Sequence, residues 1–230
     1  MSEETASSER PLVTTSDRAI AADLRRSISG EVIAGADVPD EFTRDFGGLL
    51  RARPAALVRP GNAQDVANAL RYASSNDLGV TARAAGFSMG GQSLAKSHAC
   101  IQLDLRTLNK IHRIEERGSY FEADAGTSWA TVVEATIERK LMPPVLTKNP
   151  HASIGGTISV GGLGTLSHRC GSQADSCLAL EVALPDRGLL WCSPESNRDV
   201  FDYVRAGLGL FGVITRVRHR LQPFGSRIQS

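Results

Sequence analysis

Short apolar runs recur along the chain and predict strands. In the runs near the C-terminus, apolar residues alternate with polar ones, which is typical of strands that bury one face. The turn Pro185-Asp186-Arg187-Gly188 joins two of these runs into a predicted hairpin. The predicted strands are 57–59, 79–83, 100–105, 119–123, 178–184, 189–192 and 213–221.

Helical periodicity appears in three segments between these runs. Asn62 is a good N-cap for a helix from Ala63, with apolar residues on one face at Val66, Leu70 and Ala73. A second helix is predicted from Ser128 to the stop at Pro143-Pro144. Its predicted apolar face is Trp129, Val132, Val133, Ile137 and Leu141. A third is predicted to start at Ser193-Pro194-Glu195, with Val200, Phe201 and Val204 facing inward.

This mixture of helices, strands and hairpins predicts an α+β fold rather than a doubly wound parallel sheet. No linker, repeat or low-complexity run divides the chain. We therefore predict one domain over residues 18–223, preceded by a flexible tail (1–17) and followed by a short C-terminal tail (224–230).

The charge balance narrows the class of ligand. The chain has 230 residues, 41% of them apolar, and a formal net charge of +1. Bulk charge therefore disfavours a nucleic-acid or membrane-surface partner, and no stretch is apolar enough to span a bilayer. The four cysteines form no CxxC pair and the five histidines no metal-binding spacing. We expect a cytoplasmic protein with a small-molecule substrate and no metal site.

Glycine marks the candidate functional segments, because glycine-dense loops let the backbone approach a ligand closely. The first glycine loop, residues 84–93, carries the side-chain donors Ser88, Gln92 and Ser93. The second glycine loop, residues 153–164, interleaves Ser153, Thr157 and Ser159 with glycines. A flexible surface loop remains an alternative for the first window alone. Together, the two loops suit a long ligand with phosphate groups bound by neutral N–H donors.

A third glycine motif argues against nicotinamide binding. Residues 207–212 spell GxGxxG, which in a dinucleotide-binding fold follows a strand and opens a helix. Here the predicted helix comes before it and the predicted strand after it. We therefore interpret the motif as a tight helix-to-strand junction.

Four ordered segments carry a family resemblance: residues 53–60, 86–92, 154–157 and 209–215, with Arg169-Cys170-Gly171 between the last two. The chain, from about residue 24 to 223, resembles the flavin-binding domain of the vanillyl-alcohol oxidase / p-cresol methylhydroxylase (PCMH) family, and looks nearest to cytokinin dehydrogenases. The resemblance implies two α/β subdomains clasping FAD. The cofactor-binding positions it implies are Ala84, Ala85, Gly86, Phe87, Ser88, Gln92, Ser153, Gly155, Gly156, Thr157, Ser159, Gly162, Leu163, Gly212 and Val213.

The chain departs from that family at chemically important positions. Many members attach the flavin to a histidine where this chain has Phe87, and some add a cysteine where it has Ser153. The resemblance therefore implies FAD held without a covalent link. Lys148 stands near the position of the catalytic aspartate of cytokinin dehydrogenases, so the catalytic residues stay unassigned. Family members also continue into a substrate (cap) domain, which we expect to be absent, with a homodimer or a partner protein covering the flavin face.

Three functions follow as hypotheses. The first is a small FAD-dependent oxidoreductase acting on a small organic substrate. The second is a non-redox cyclase or isomerase of specialised metabolism, such as one forming polyketide-type rings, that keeps FAD as a structural element. The third is a non-catalytic FAD-binding partner or a fragment of a longer enzyme.

Overall fold

The computed structural model describes residues 15–97, 99–117 and 119–225. Its helices are α1 Thr15–Leu24, α2 Ala63–Ser75, α3 Trp129–Ile137, α4 Ile154–Ser159, α5 Ser167–Cys170 and α6 Arg198–Val204. Its strands are β1 Glu31–Ala34, β2 Ala56–Arg59, β3 Gly79–Arg83, β4 Cys100–Asp104, β5 Ile111–Glu115, β6 Tyr120–Asp124, β7 Leu141–Met142, β8 Cys177–Leu184, β9 Gly188–Cys192, β10 Val213–Arg220 and β11 Gln222–Pro223.

The N-terminal half builds a four-stranded sheet in the order β1-β2-β4-β3. Strands β2 and β3 both pair with β4 in parallel, and β1 pairs with β2 in the antiparallel sense. The first glycine loop joins β3 to β4. It therefore leaves the sheet at the carboxyl edge of its parallel strands, the edge where open sheets of this kind bind ligands.

The C-terminal half builds a five-stranded antiparallel sheet in the order β5-β6-β10-β8-β9. The β8–β9 hairpin closes with the Leu184↔Gly188 pair, which confirms the predicted turn. A small pair, β7 with β11, lies apart from this sheet. The core of this half is centred on Trp129, Phe121 and Phe201, which are all fully or almost fully buried.

Helix α2 belongs to both halves of the molecule. It begins as predicted, because the Asn62 side chain accepts a hydrogen bond from the Asp65 N–H. Its buried residues Val66 and Leu70 join a core that contains Ile101 from the first sheet and Ala183 and Val213 from the second. The two α/β units are thus packed on a shared helix, and together they confirm the predicted α+β class.

Two predicted helix boundaries are wrong. Ser193 and Ser196 pair with each other in a tight turn, so Pro194 sits at the corner of that turn and α6 begins only at Arg198. Proline suits both the first turn of a helix, as predicted, and the tight turn observed, because its φ is fixed. Helix α3 ends at Ile137, which is 48% exposed, while Thr136 is buried in its place. Lys140 then takes a left-handed conformation, and Leu141 continues as strand β7.

The second glycine loop and the residues just after it contain two short helices, where the sequence predicts loop. Residues 154–159 form α4 and residues 167–170 form α5. At the N-terminus, residues 1–14 of the predicted tail lie outside the described residues, and α1 begins at Thr15. Asp17 is buried, so the fold starts slightly before the predicted boundary at residue 18. Residues 226–230 of the predicted C-terminal tail also lie outside the described part.

Candidate functional site

An open cleft of about 420 Å³ lies where the two halves meet. The first half contributes Ala85 from the first glycine loop, with Arg106 and Asn109 from just beyond β4. The second half contributes the turn after β6 and the start of α3. Its lining residues from this half are Gly126, Thr127, Ser128, Thr131 and His151. The cleft therefore places the first glycine loop opposite the segment that carries the second.

The first glycine loop presents backbone donors. Gly86 has a left-handed φ of +75°, which turns the chain sharply at the end of β3. Within the described residues, the N–H groups of Gly86, Phe87 and Ser88 have no hydrogen-bond acceptor, whereas the Gly90 N–H is bonded to Gln92 Oε1 at 3.0 Å. Successive unpaired N–H groups at a tight turn form a concave site for an anion.

Several side chains predicted as site residues in this loop instead interact with other residues of the loop. Ser88 Oγ lies 2.7 Å from Ser93 Oγ, and Gln92 is bonded to the loop backbone. Phe87 packs edge-to-face on Phe46 with ring centroids 5.3 Å apart. These two rings belong to an exposed group, the first-loop apolar cluster, which consists of Phe46, Leu49, Leu50, Phe87 and Met89.

The second glycine loop is tied to the cleft wall by backbone hydrogen bonds. Ser153 forms a β-bridge with Ser128, the Ile154 N–H donates to Thr127 O, and the Gly155 N–H donates to Ala125 O. A Cβ on Gly155 would lie 2.7 Å from the Ala125 Cβ, so only glycine allows this approach. The N-terminal residues of α4 are therefore fixed beside the residues that line the cleft.

Some polar groups of α4 and its N-cap form hydrogen bonds within the protein, and others do not. Thr157 Oγ1 accepts a hydrogen bond from Trp129 Nε1 at 2.8 Å, and Ser159 Oγ donates to Gly155 O at 2.7 Å. By contrast, Ser153 Oγ makes no capping bond, and within the described residues the Gly156 N–H has no acceptor. Ser153 and Gly156 are thus the donors this helix keeps available for a ligand.

Further along the loop, the backbone is anchored to the core. Gly162 is left-handed (φ +69°), and its carbonyl accepts the Gln173 N–H at 2.8 Å. The Gln173 carbonyl in turn contacts Nε2 of the buried His219 at 3.0 Å. Burial lowers the pKa of His219 to about 4, against the opposite effect of its two carbonyl neighbours, so this imidazole is neutral at pH 7.

The last predicted residues flank an exposed apolar surface. Gly212 directly precedes β10, and Val213 opens the strand and is buried in the core around α2. Leu163 is 74% exposed. It belongs to a group of exposed side chains that we name the second-loop apolar cluster. In this cluster the rings of Tyr203 and Phe211 lie 5.3 Å apart. The backbone N–H of Leu208 donates to Ser159 O at 2.8 Å. The members of this cluster are Val160, Leu163, Tyr203, Leu208, Leu210 and Phe211.

The cleft includes residues that the sequence does not predict as site residues. Thr127 is 1% exposed, and its hydroxyl has no hydrogen-bond partner within the described residues. A buried hydroxyl without a partner carries a desolvation cost that a ligand atom would remove. The available signal was positional, because the polar turn 126–128 directly follows a strand and precedes a helix. Only Ala85 among the predicted residues lines the cleft itself.

Two other expectations concern metals and membranes. In the described ranges, no group of three or more His, Cys, Asp or Glu side chains is arranged to hold a metal ion. Within the same ranges, no helix has the length and apolar character needed to cross a bilayer. The reversed order around residues 207–212 is confirmed, since α6 precedes the motif and β10 follows it.

The cleft lies between two subdomains, with the first glycine loop on one side and the second hydrogen-bonded to the turn that lines the other side. This is the arrangement expected of the FAD-binding module of a PCMH-type flavoprotein. Residues 54–193 match the FAD binding domain family. The chain belongs to this family, and the resemblance stated from its motifs is confirmed.

Individual relatives agree with this assignment. The chain is 40% identical over 177 residues to an uncharacterised oxidoreductase of the fasciation locus of Rhodococcoides fascians, covering 77% of this chain and 40% of that protein. It is 33% identical over 222 residues to cytokinin dehydrogenase 1 of Oryza sativa subsp. japonica, covering 94% and 41% respectively. The chain thus spans about two fifths of the length of the curated relatives it matches.

A solved structure shows the same fold. The 6-hydroxy-D-nicotine oxidase of Arthrobacter nicotinovorans superimposes with a TM-score of 0.76 at 29% sequence identity. The match covers 86% of this chain and 43% of the oxidase. The fold of the described residues is therefore that of a flavoprotein oxidase module.

Proposed function

We propose that the chain is the FAD-binding part of a flavin-dependent oxidoreductase that holds FAD without a covalent bond and acts on a small organic substrate. The observation that carries this proposal is the cleft between the two halves. The first glycine loop reaches this cleft at Ala85, and the next three N–H groups of the loop, at Gly86–Ser88, have no acceptor among the described residues. The opposite wall carries the buried hydroxyl of Thr127, which also has no partner among them. The named relatives, which are oxidoreductases, support the same interpretation.

The donors present fit a flavin dinucleotide. The first-loop N–H groups suit the diphosphate, because neutral N–H donors hold anions without a need for net positive charge. Ser153 Oγ and the Gly156 N–H offer donors for the polar edge of the ring system on the opposite wall. When bound, FAD supplies reversible acceptance of a hydride or of single electrons. The residues of this chain would bind it, orient it and exclude water from one of its faces.

The proposal of a non-covalent cofactor rests on Phe87. Its ring has no nucleophilic atom and packs on the ring of Phe46. Ser153, at the other position where relatives carry an attachment, is a hydroxyl that is only 5% exposed. Neither side chain offers an imidazole or a thiol that could bond to the flavin.

The first experiment is a visible spectrum of the purified protein before and after acid precipitation. We expect flavin absorption in the native protein and its complete transfer to the supernatant. Flavin that stays in the pellet would overturn the non-covalent proposal. A colourless protein that FAD cannot reconstitute would overturn the assignment of the cleft. Phe87→Leu is the matched control, since it removes the ring and should release flavin in the same way.

A second experiment separates redox from non-redox use of the flavin. Anaerobic mixing with small alcohols and amines should bleach the flavin band if the first hypothesis holds. Turnover with the band unchanged and with substrate mass conserved would instead favour the cyclase or isomerase. The absence of turnover would favour a non-catalytic FAD-binding partner.

Two further proposals concern a covering partner and the cellular compartment. The second-loop apolar cluster supports a covering partner, for which we propose a second copy of this chain, because a formal net charge of +1 gives little repulsion between copies. Cys100, Cys170, Cys177 and Cys192 are all unpaired, which supports the reducing cytoplasm as the compartment.

A further inference from the structure

A histidine side chain lies in the aromatic core of the second half. His219 has no exposed surface, and its ring centre lies 5.6 Å from that of Phe121 and 5.1 Å from that of Trp129. An apolar side chain of similar size would fill this space without needing a hydrogen-bond partner, whereas a buried polar group needs one. The polar contacts of His219 therefore show what the imidazole contributes beyond packing.

Both ring nitrogens of His219 face backbone carbonyls. Nδ1 lies 2.9 Å from the carbonyl of the next residue, Arg220, and Nε2 lies 3.0 Å from the Gln173 carbonyl, 46 residues away in sequence. The imidazole is neutral at pH 7, because burial lowers its pKa to about 4. A neutral imidazole carries one N–H, so it donates to only one of these carbonyls at a time.

The position of that proton determines which parts of the chain the imidazole joins. A proton on Nδ1 would form a bond only within β10. A proton on Nε2 forms a bond from β10 to Gln173, whose carbonyl also accepts the Ser176 N–H at 3.2 Å. A carbonyl oxygen has two lone pairs and can accept from both donors. The bond from His219 thus adds a long-range constraint that the local bond from Ser176 does not provide.

Gln173 transmits this constraint to the end of the second glycine loop. Its N–H donates to Gly162 O at 2.8 Å, and the next N–H, of Ala174, donates to Gly161 O at 3.0 Å. The Gln173 side chain is fully buried and donates to Val145 O at 3.2 Å. It lies so close to Gly162 that an added Cβ would be 2.2 Å from Oε1. A shift of Gln173 would therefore move the end of the loop with it.

The imidazole reaches the beginning of the same loop through Trp129. The two rings meet edge to face, at an interplanar angle of 73°. The Trp129 Nε1 donates to Thr157 Oγ1 of α4 at 2.8 Å, and the Trp129 N–H donates to the carbonyl of Ala152, just before the loop, at 3.2 Å. One buried side chain thus contacts the residues that hold both ends of α4.

We propose that His219, with its proton on Nε2, is a positioning residue of the second glycine loop and sets the affinity of the cleft for its ligand. This role rests on the proposed FAD-binding function and assigns it a residue that does not line the cleft. The bond to Gln173 fixes the end of the loop, and the contact with Trp129 fixes its start. The donors of Ser153 and Gly156 are then held in one arrangement before the ligand arrives, which lowers the entropic cost of binding.

The test measures the affinity for FAD by quenching of flavin fluorescence on binding to apo-protein. His219→Leu keeps an apolar side chain but removes the donor, and it should weaken FAD binding about tenfold, as expected for the loss of one buried hydrogen bond. His219→Gln places an amide N–H near the position of Nε2 and should restore most of the affinity. His219→Asn places its amide near the position of Nδ1 and should not restore it.

Val217→Ala is the matched control. Val217 is fully buried in the same strand and the same core, and its side chain makes no hydrogen bond. This change should lower the free energy of unfolding, measured with urea on the apo-protein, and leave the affinity for FAD unchanged. Equal losses of affinity in Val217→Ala and His219→Leu would show that general core packing is responsible, which would overturn the proposal.

The NMR chemical shifts of the imidazole nitrogens give a second measurement, on the wild-type protein itself. At pH 7 we expect a protonated Nε2 and an unprotonated Nδ1 for His219. The opposite tautomer would overturn the proposal, and so would an unchanged affinity for FAD in His219→Leu. A wild-type protein that does not bind FAD would refute the FAD-binding function as well, so the two failures are distinguishable.

Discussion

Gly162 shows at the scale of one residue why the second glycine loop needs glycine. A Cβ there would lie 2.2 Å from Gln173 Oε1, and the φ of +69° is strained for any side chain. The number of glycines in this segment was visible in the sequence. Which of them are required by contact was not, because Gln173 approaches from a more distant part of the chain.

Gly162→Ala should lower the free energy of unfolding by about 3 kcal/mol, through backbone strain and the clash with Gln173. Gly209→Ala is the matched control. Gly209 has a similar φ of +75°, but a Cβ added there would have nothing within 4 Å, so the change should cost only about 1 kcal/mol. Urea unfolding of both variants measures the difference. Equal losses would mean that the contact with Gln173 does not constrain the loop.

Asp65 is a second residue whose role depends on distant partners. Its carboxylate accepts hydrogen bonds from Ser29 N at 2.9 Å, Ser29 Oγ at 2.8 Å, Gly30 N at 3.0 Å and Gly61 N at 2.8 Å. Burial alone would raise the pKa of Asp65, but these bonds outweigh burial and hold the pKa below its ordinary value. The charged form therefore stabilises the fold.

Asp65→Asn should cost about 2 kcal/mol at pH 7, since an amide replaces a charged acceptor. The pKa of Asp65 is lower in the folded state than in the unfolded state, where it is near 4. The extra stability of the wild type is therefore complete above the unfolded pKa and is lost as the pH falls through the folded pKa. Urea unfolding from pH 7 down to about pH 3 measures it. Asp186→Asn, at an exposed turn position, should show no such loss; a constant difference between wild type and Asp65→Asn would contradict the argument.

At the scale of elements, local signals predicted α2 well and α4 not at all. Helix α2 has a side-chain cap at Asn62 and a clear apolar face, so its start follows from nearby residues. Helix α4 contains Gly155 and Gly156, which disfavour helices. It forms because its first N–H groups are bonded to Thr127 O and Ala125 O, and those partners lie outside the helix, in the turn after β6.

Strand β10 carries a buried histidine whose pH response is a further prediction. The pKa of His219 is lowered to about 4 in the folded state, against an ordinary 6.5, so the unfolded chain binds a proton that the folded chain does not. Stability should therefore fall as pH decreases from about 6.5 to 4, by on the order of 3 kcal/mol from this residue.

His219→Gln should remove this fall in stability between about pH 6.5 and 4, the pH slope of stability, while lowering stability at pH 7. His168→Gln, at an exposed position, should keep the wild-type slope. Chemical denaturation across this pH range distinguishes the variants. An unchanged slope in His219→Gln would show that other groups cause the acid sensitivity.

At the scale of the whole molecule, the family motifs predicted the two-subdomain architecture, which the fold confirms. That both glycine loops bind one ligand stays a prediction. The cleft wall at Thr127, Ser128 and His151 was not predicted, because the turn after β6 and the segment before α4 are distant in sequence. They meet through backbone hydrogen bonds within the second half, such as that from the Trp129 N–H to Ala152 O. The exposure of the second-loop apolar cluster was equally invisible. Alternating apolar residues in a sequence do not reveal which of them lack a covering neighbour.

If a second copy covers that cluster, Leu210→Asp should shift the sedimenting species from dimer to monomer. Leu210 is 76% exposed, so a charge there costs the monomer little and the interface much. Analytical ultracentrifugation measures the change. Leu49→Asp in the first-loop apolar cluster, at 83% exposure, is the control and should leave the dimer intact. A wild-type monomer would overturn the proposed occupant.

The shared position of α2 has a consequence for how the chain unfolds. Val66 and Leu70 bury surface against Ile101 of one sheet and against Ala183 and Val213 of the other, so neither half keeps a closed core if the helix leaves. The two halves should then melt together, as one cooperative unit with a calorimetric enthalpy equal to the van't Hoff enthalpy. A ligand that bridges the cleft would raise the melting temperature of both halves by the same amount.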